Sequence, residues 1–279
     1  MSNSGIISVV LIIITFVFSY KGFTNQTFFD GYKFEVDKIL VNKDYKRLIT
    51  SGFLHVGWAH LIFNMISLYL FSGLIEYSLG SVKFLIIYFA SLVGGDLLSL
   101  FVHRHHADYT SVGASGAICG VMFATIALFP GISLPVFILP IFIPAWLYGL
   151  LYIGMSIWAI KSKRDNIGHE AHLGGALIGM IIAIIMVPSS LADNYITIII
   201  ILVPAIVFIY LIVTKPQILL VDNLYFKKHP NNYSIDHEYN QRRHQQQMEV
   251  DRILEKISSK GMNSLTSRER AYLEEHSKK

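Results

Sequence analysis

The 279-residue chain is 53% hydrophobic and only 15% charged, with a mean hydropathy of +0.50, which excludes an ordinary soluble domain of this size and points to the membrane. Its pI near 9.0 does not make it a nucleic-acid binder: residues 1–214 carry 11 of the 23 Lys and Arg in short loops beside apolar runs, and the other 12 mix with 9 acids in 215–279, leaving no continuous basic face. A single cysteine, Cys119, excludes an intramolecular disulfide and a cysteine-rich metal site.

Crossing about 30 Å of hydrocarbon takes about 20 predominantly apolar residues. Seven such runs occur, at roughly 5–20, 57–75, 82–102, 114–130, 141–160, 170–188 and 194–214. The first lacks a basic leader, and Tyr20-Lys21 after it offers no small-residue cleavage site, so it reads as an anchor helix rather than a signal peptide. The residues that follow, rich in Phe, Tyr and charges, are long enough for interfacial or re-entrant structure. Between Pro130 and Pro144 four prolines stand among Ile, Leu and Phe, which predicts an irregular apolar connection rather than a helix. The expected division is 1–22 as the first transmembrane helix, 23–56 as an interfacial loop, 57–190 as spans two to six, 194–214 as a further transmembrane helix, and 215–279 as a soluble tail.

Within that tail, 237–247 is a polar linker. Residues 248–258 form an amphipathic helix with Val250, Ile253, Leu254 and Ile257 on one face, stopped by Gly261. Thr266 and Glu269 have capping-box spacing for a short last helix. This helical pair reads as a docking element for a partner the sequence does not name.

Polar side chains are expensive inside a bilayer, so each needs a partner or a task. His60 and Asn64 lie four apart on one face of the second span. Ser115 opens the fourth span within Gly113-Ala114-Ser115-Gly116, and His172 opens the sixth within Ala171-His172-Leu173-Gly174-Gly175. Even-numbered spans run in the same direction, so all four groups share one depth. Gly116 and Gly120 on span four, with Gly175 and Gly179 on span six, make small-residue faces for close approach. Ser115 with a histidine base has the parts for acyl transfer, and His60 and Asn64 supply donors for a developing oxyanion. Taken one at a time, these residues are ordinary helix-packing groups; at matched depth they read as a site. Asp96, after Gly94-Gly95, is expected to hold the loop above it through a buried hydrogen bond. The histidines of His169-Glu170-Ala171-His172 are three apart, whereas a zinc helix needs them four apart, so no metal is expected.

The order His60-x-x-x-Asn64, Gly-Ala-Ser-Gly, then Ala-His-x-x-Gly resembles the rhomboid intramembrane proteases over roughly 44–190. The resemblance implies an all-α, polytopic membrane bundle: a six-helix rhomboid-like core, with the seventh span appended and a short soluble helical tail. It implies a Ser-His dyad without an acid and without a cofactor, cleaving other membrane proteins within or beside their transmembrane segments. By motif, Ser115 is the nucleophile, His172 the general base, and His60 and Asn64 line an oxyanion hole with the Ser115 amide. Arg47 in the first loop and Glu76 at the end of span two fit structural positions of the family. Lys46 stands where a tryptophan is frequent, and Cys119 where an aromatic often stacks on the catalytic imidazole, so this histidine is expected to be held differently.

The implied setting is a multi-pass protein of the cell membrane with a cytoplasmic amino terminus and an outward-facing site. The charges favour the opposite orientation, since a cytoplasmic amino terminus leaves only Lys83 in an inside loop. A rhomboid-like protein that binds transmembrane helices without cleaving them is the alternative, although such proteins typically lack the serine or the histidine. A transporter would need polar residues along a path, whereas spans one, five and seven look almost bare.

Overall fold

The computed structural model describes residues 5–135, 141–162 and 168–214, together with 250, 252–254, 256–258, 262–266, 269–270 and 272–273. The chain divides into two compact units, 1–227 and 228–279.

All seven apolar runs are helical. α1 (Ile6–Thr24) is followed by the short helices α2 (Gln26–Tyr32), α3 (Val36–Leu40) and α4 (Arg47–Thr50), and by a 3-10 turn, Ser51–Phe53. Then come α5 (Trp58–Leu79), α6 (Ser81–Val102), α7 (Ser115–Leu128), α8 (Ala145–Ser162), α9 (His169–Met186), α10 (Ser189–Asp193) and α11 (Tyr195–Thr214). Helices α1, α5, α6, α9 and α11 are each long and apolar enough to cross a bilayer. The chain is a multi-pass helical membrane bundle.

The fourth run, expected over 114–130, forms a helix of only 14 residues, which rises about 21 Å. That is short of the about 30 Å of hydrocarbon. It is tolerated because α7 touches little lipid: Gly116 to Ala127 are all buried, enclosed by α5, α6, α8 and α9.

Irregular backbone supplements the helices at two places. Phe34–Glu35 pairs antiparallel with Thr110–Ser111, joining the first loop to the loop after α6. Ser133–Pro135 pairs antiparallel with Phe142–Pro144, so the proline-rich connection contains a strand pair rather than being irregular throughout; its residues 136–140 lie outside the described residues.

Two carboxylates fix the bundle ends. Glu76, at the foot of α5, accepts from the Ile7 and Ser8 amides at 3.0 Å each and from the Ser81 hydroxyl at 2.9 Å. These are otherwise unpaired amides at the start of α1. At the opposite end of α1, Ser19 meets His55 just ahead of α5, so α1 and α5 are antiparallel. The turn from α5 to α6 is the single residue Gly80, whose φ of +85 suits glycine. Asp96 on α6 accepts from Ser51 Oγ at 2.9 Å and anchors the first loop, as its position suggested.

Arg47 organises that loop, with no tryptophan needed beside it. Its guanidinium donates to the Asp30 and Lys33 carbonyls at 2.9 and 2.7 Å and to Asp44 at 2.9 Å, while only 5% exposed. Arg47→Met keeps the stem and strands these acceptors, an expected cost of about 3 kcal/mol. Hydrogen exchange over residues 30–50 measures it; unchanged protection would overturn this assignment.

In the second unit, Glu269 accepts from the Thr266 amide at 2.8 Å and donates its own amide to Thr266 Oγ1 at 3.3 Å, forming the expected capping box. Lys256 and Arg252 converge on the same carboxylate. The Lys256 ammonium and the Thr266 amide hold the Glu269 carboxyl down to about 2. Ile253 is fully buried and Val250 and Ile257 are half-buried, but Leu254 is 49% exposed and departs from the expected face. The polar stretch 237–247 and Gly261 lie outside the described residues.

Candidate active site

Ser115 is the first residue of α7, presented by a turn at Gly113 with φ +133. The Gly113 amide donates to the Ser51 carbonyl at 3.0 Å. A Cβ on Gly113 would lie 2.9 Å from Cε1 and 3.0 Å from Nε2 of His60, and 3.7 Å from Ser115 Oγ. Conformation and crowding therefore both require glycine, and the His60 imidazole and the Ser115 hydroxyl border one small volume. The opening amides of α7 have no partner within the helix and carry its positive dipole end. That is where an anion would be welcome.

α9 brings His172 to this volume. A Cβ on Gly175 would collide with the Gly116 carbonyl, and one on Gly179 with the Gly120 backbone, so the two helices touch main chain to main chain, as the small-residue faces predicted. At that spacing Ser115 Oγ and His172 Nε2 are 2.6 Å apart, a short hydrogen bond.

Asn64 is 3% exposed and donates through Nδ2 to the His60 carbonyl one turn back, at 2.9 Å. Its amide has two N–H groups, so this bond occupies one and steers the other.

Two residues beyond the expected four contact the site. His55, fully buried, lies against His60 with ring centroids 4.8 Å apart. Ser19 Oγ donates to the Phe53 carbonyl and lies 2.9 Å from His55 Nδ1; with its only proton used, it accepts from Nδ1–H. Burial, with His60 alongside, pushes the His55 imidazole down to about 3, so it is neutral. The second is Tyr152 on α8, whose hydroxyl is 3.1 Å from His172 Nδ1 and 2.8 Å from Cys119 Sγ. Spans one and five are therefore not bare of polar contacts: Ser19 on α1 holds His55, and Tyr152 on α8 meets His172.

Glu170 turns away from His172. Its Oε1 accepts from Tyr109 at 2.8 Å, Ser99 at 3.2 Å and His103 Nε2 at 2.9 Å, and His103 stacks on Tyr109 at 3.6 Å and 6°. Burial first, and the Glu170 carboxylate second, push the Tyr109 hydroxyl well above its usual range. This polar knot pins the loop after α6 to the start of α9. Among the described residues no three His, Cys, Asp or Glu side chains are grouped to hold a metal ion.

The model of the rhomboid domain matches residues 42–189, more than half of the chain. The chain belongs to the rhomboid family. Among curated relatives, it is 31% identical over 178 residues to the RHOMBOID-like protein 12, mitochondrial, of Arabidopsis thaliana, covering 58% of this chain and 52% of that protein. It is 31% identical over 150 residues to the Rhomboid protein 1, mitochondrial, of Saccharomyces cerevisiae, covering 51% and 43%. The Rhomboid protease GluP of Bacillus subtilis is 32% identical over 162 residues, covering 58% of this chain and 30% of that protein. The chain thus spans about half the length of the curated relatives it matches first. Residues 233–279 match a family of unknown function, so this rhomboid carries a second recognisable module later in its sequence.

Proposed function

We propose that this rhomboid is an intramembrane serine endopeptidase that cleaves transmembrane segments of other membrane proteins. The observation that carries the reading is the 2.6 Å contact between Ser115 Oγ and His172 Nε2, set at the head of a helix too short to cross the bilayer.

In this mechanism Ser115 Oγ attacks the scissile carbonyl as its proton passes to His172 Nε2. The carbonyl oxygen becomes an oxyanion beside the opening amides of α7, His60 and Asn64, where preformed donors stabilise charge without reorganising. His172 then gives the proton to the departing amine, and water repeats the sequence on the acyl-enzyme. A helical substrate hides its carbonyls in its own hydrogen bonds, so it must unwind to reach Ser115. Substrates with glycine, proline or small residues near the cut are favoured for that reason.

The domain division belongs to the same proposal: 57–190 catalytic, 1–22 and 194–214 flanking transmembrane helices, 23–56 the interfacial loop, and 215–279 a docking tail. So do the location, the cell membrane, and the outward-facing site; fractionation and a reporter fused after Lys279 measure them.

The test is labelling of the full-length protein by a serine-reactive phosphonate, alongside Ser115→Ala. Labelling of the wild type alone supports the reading, and equal labelling of both sinks it. Asn64→Ala removes one oxyanion donor and is expected to lower kcat about 100-fold with KM little changed. A loss confined to KM would instead place Asn64 in substrate binding.

A further inference from the structure

We propose that Tyr152 is the positioning residue of the Ser115–His172 pair: its hydroxyl oxygen, held by Cys119, accepts from His172 Nδ1 and keeps Nε2 open towards Ser115. The inference rests on the reading of Ser115 and His172 as a proton-transfer pair.

It follows from counting protons. His172 makes contacts at both ring nitrogens, Nε2 to Ser115 Oγ at 2.6 Å and Nδ1 to Tyr152 Oη at 3.1 Å. A neutral imidazole carries one N–H, and the partner of one nitrogen decides the role of the other. For Ser115 to give up its proton, Nε2 must be bare, so the proton sits on Nδ1 and points at Tyr152 Oη. The phenol then spends its own proton elsewhere, and Cys119 Sγ at 2.8 Å is an acceptor for it. The chain of donors runs from Ser115 to His172, from His172 to Tyr152, and from Tyr152 to Cys119, with Ser156 also hydrogen-bonded to the Tyr152 hydroxyl.

The reverse order puts the imidazole proton on Nε2, where His172 cannot act as a base. The forward order also survives the reaction. When Nε2 takes the serine proton, Nδ1–H still points at the same phenol oxygen, and Tyr152 keeps its proton throughout.

A carboxylate performs this orienting task in the Ser-His-Asp arrangement. In hydrocarbon a buried carboxylate is costly, whereas a phenol orients the ring without a net charge. The Tyr152 ring is fixed independently of its hydroxyl, packed edge-on to the buried Phe123 with centroids 6.0 Å apart. The four groups come from three helices, Ser115 and Cys119 on α7, His172 on α9 and Tyr152 on α8, so the alignment of the pair requires α8 to be docked.

Tyr152→Phe keeps the ring and removes only the oxygen. Two readouts on the full-length protein in detergent test the inference. The first is 15N NMR of the imidazole nitrogens, with His172 assigned by its loss in His172→Ala. It should show the proton on Nδ1 in the wild type and transfer of population to the Nε2–H form in Tyr152→Phe. The second is cleavage of a transmembrane substrate. Tyr152→Phe should lower kcat about 10- to 100-fold, the effect of one lost buried hydrogen bond, with KM within about two-fold. An unchanged tautomer in Tyr152→Phe overturns the proposal, as does a fall in activity that appears only as KM. If the wild type shows no Ser115-dependent cleavage, the protease reading fails, and the tautomer comparison alone decides the role of Tyr152.

Discussion

His172→Ala is expected to reduce Ser115-dependent cleavage by about 10⁴- to 10⁶-fold, the largest effect of any single substitution outside Ser115 itself. The reason is local. At neutral pH a serine hydroxyl is a poor nucleophile, and the only base within hydrogen-bond reach of Ser115 Oγ is His172 Nε2 at 2.6 Å among the described residues. Removing it leaves the amides of α7 and the His60–Asn64 side to stabilise an oxyanion that hardly forms. Because nucleophile and base act as a unit, the double variant Ser115→Ala/His172→Ala should be no slower than either single one. Cleavage of a model transmembrane substrate, followed over days to reach the floor, measures this. A His172→Ala variant only ten-fold slower would mean that another base serves Ser115. A folding artefact is separable, since the glycine contacts that hold α9 against α7, at Gly175 and Gly179, lie further along the helix than His172.

How much of this was legible in the sequence differs between elements, for physical reasons. The seven apolar runs are dictated by the solvent: a backbone in hydrocarbon must be helical to satisfy itself, so composition alone locates the helices. The Ser115–His172 pairing was legible because span parity fixes depth and paired glycines fix separation. Asp96 was legible for a related reason, since a carboxylate in a span needs a donor, and Ser51 provides it. The shortness of α7 was not legible. Residues 114–130 are apolar enough for a full span, and only tertiary enclosure shows that the helix need not cover the bilayer. Tyr152 escaped notice because a tyrosine in an apolar run is commonly packing, and its meeting with His172 depends on how α8 is rotated. No short-range spacing encodes that rotation. The one available signal was negative: Cys119 stands where rhomboids often have an aromatic, so the imidazole was expected to be held differently. His55 was hidden similarly, since its partner Ser19 lies 36 residues away on α1.

Gly175→Val is expected to lower activity about 100-fold without touching any reacting atom. A Cβ at this position collides with the Gly116 carbonyl oxygen, lies 2.8 Å from the Gly116 carbonyl carbon and 3.1 Å from the Ser91 carbonyl oxygen. These are backbone atoms of packed helices, so no side chain can rotate aside. Either α9 retreats from α7 by about 1 Å or more, or the valine variant fails to fold. Overpacking of this kind costs about 1–3 kcal/mol, and a misplacement of about 1 Å costs about 100-fold in rate. The same displacement opens the Ser115–His172 contact, because Gly116 adjoins Ser115 and Gly175 lies one turn beyond His172. The comparison that isolates this geometry is Gly73→Ala on α5, where a Cβ meets nothing within 4 Å; it should leave activity and thermal stability unchanged or slightly improved. Phosphonate labelling and the thermal midpoint, read on both variants, separate the two causes. Gly175→Val with wild-type labelling would show that the approach of α9 to α7 does not set the Ser115–His172 distance. Loss of labelling with a midpoint lowered by only a few degrees would show that the glycine contact does its work on the alignment of the pair and not merely on the survival of the fold.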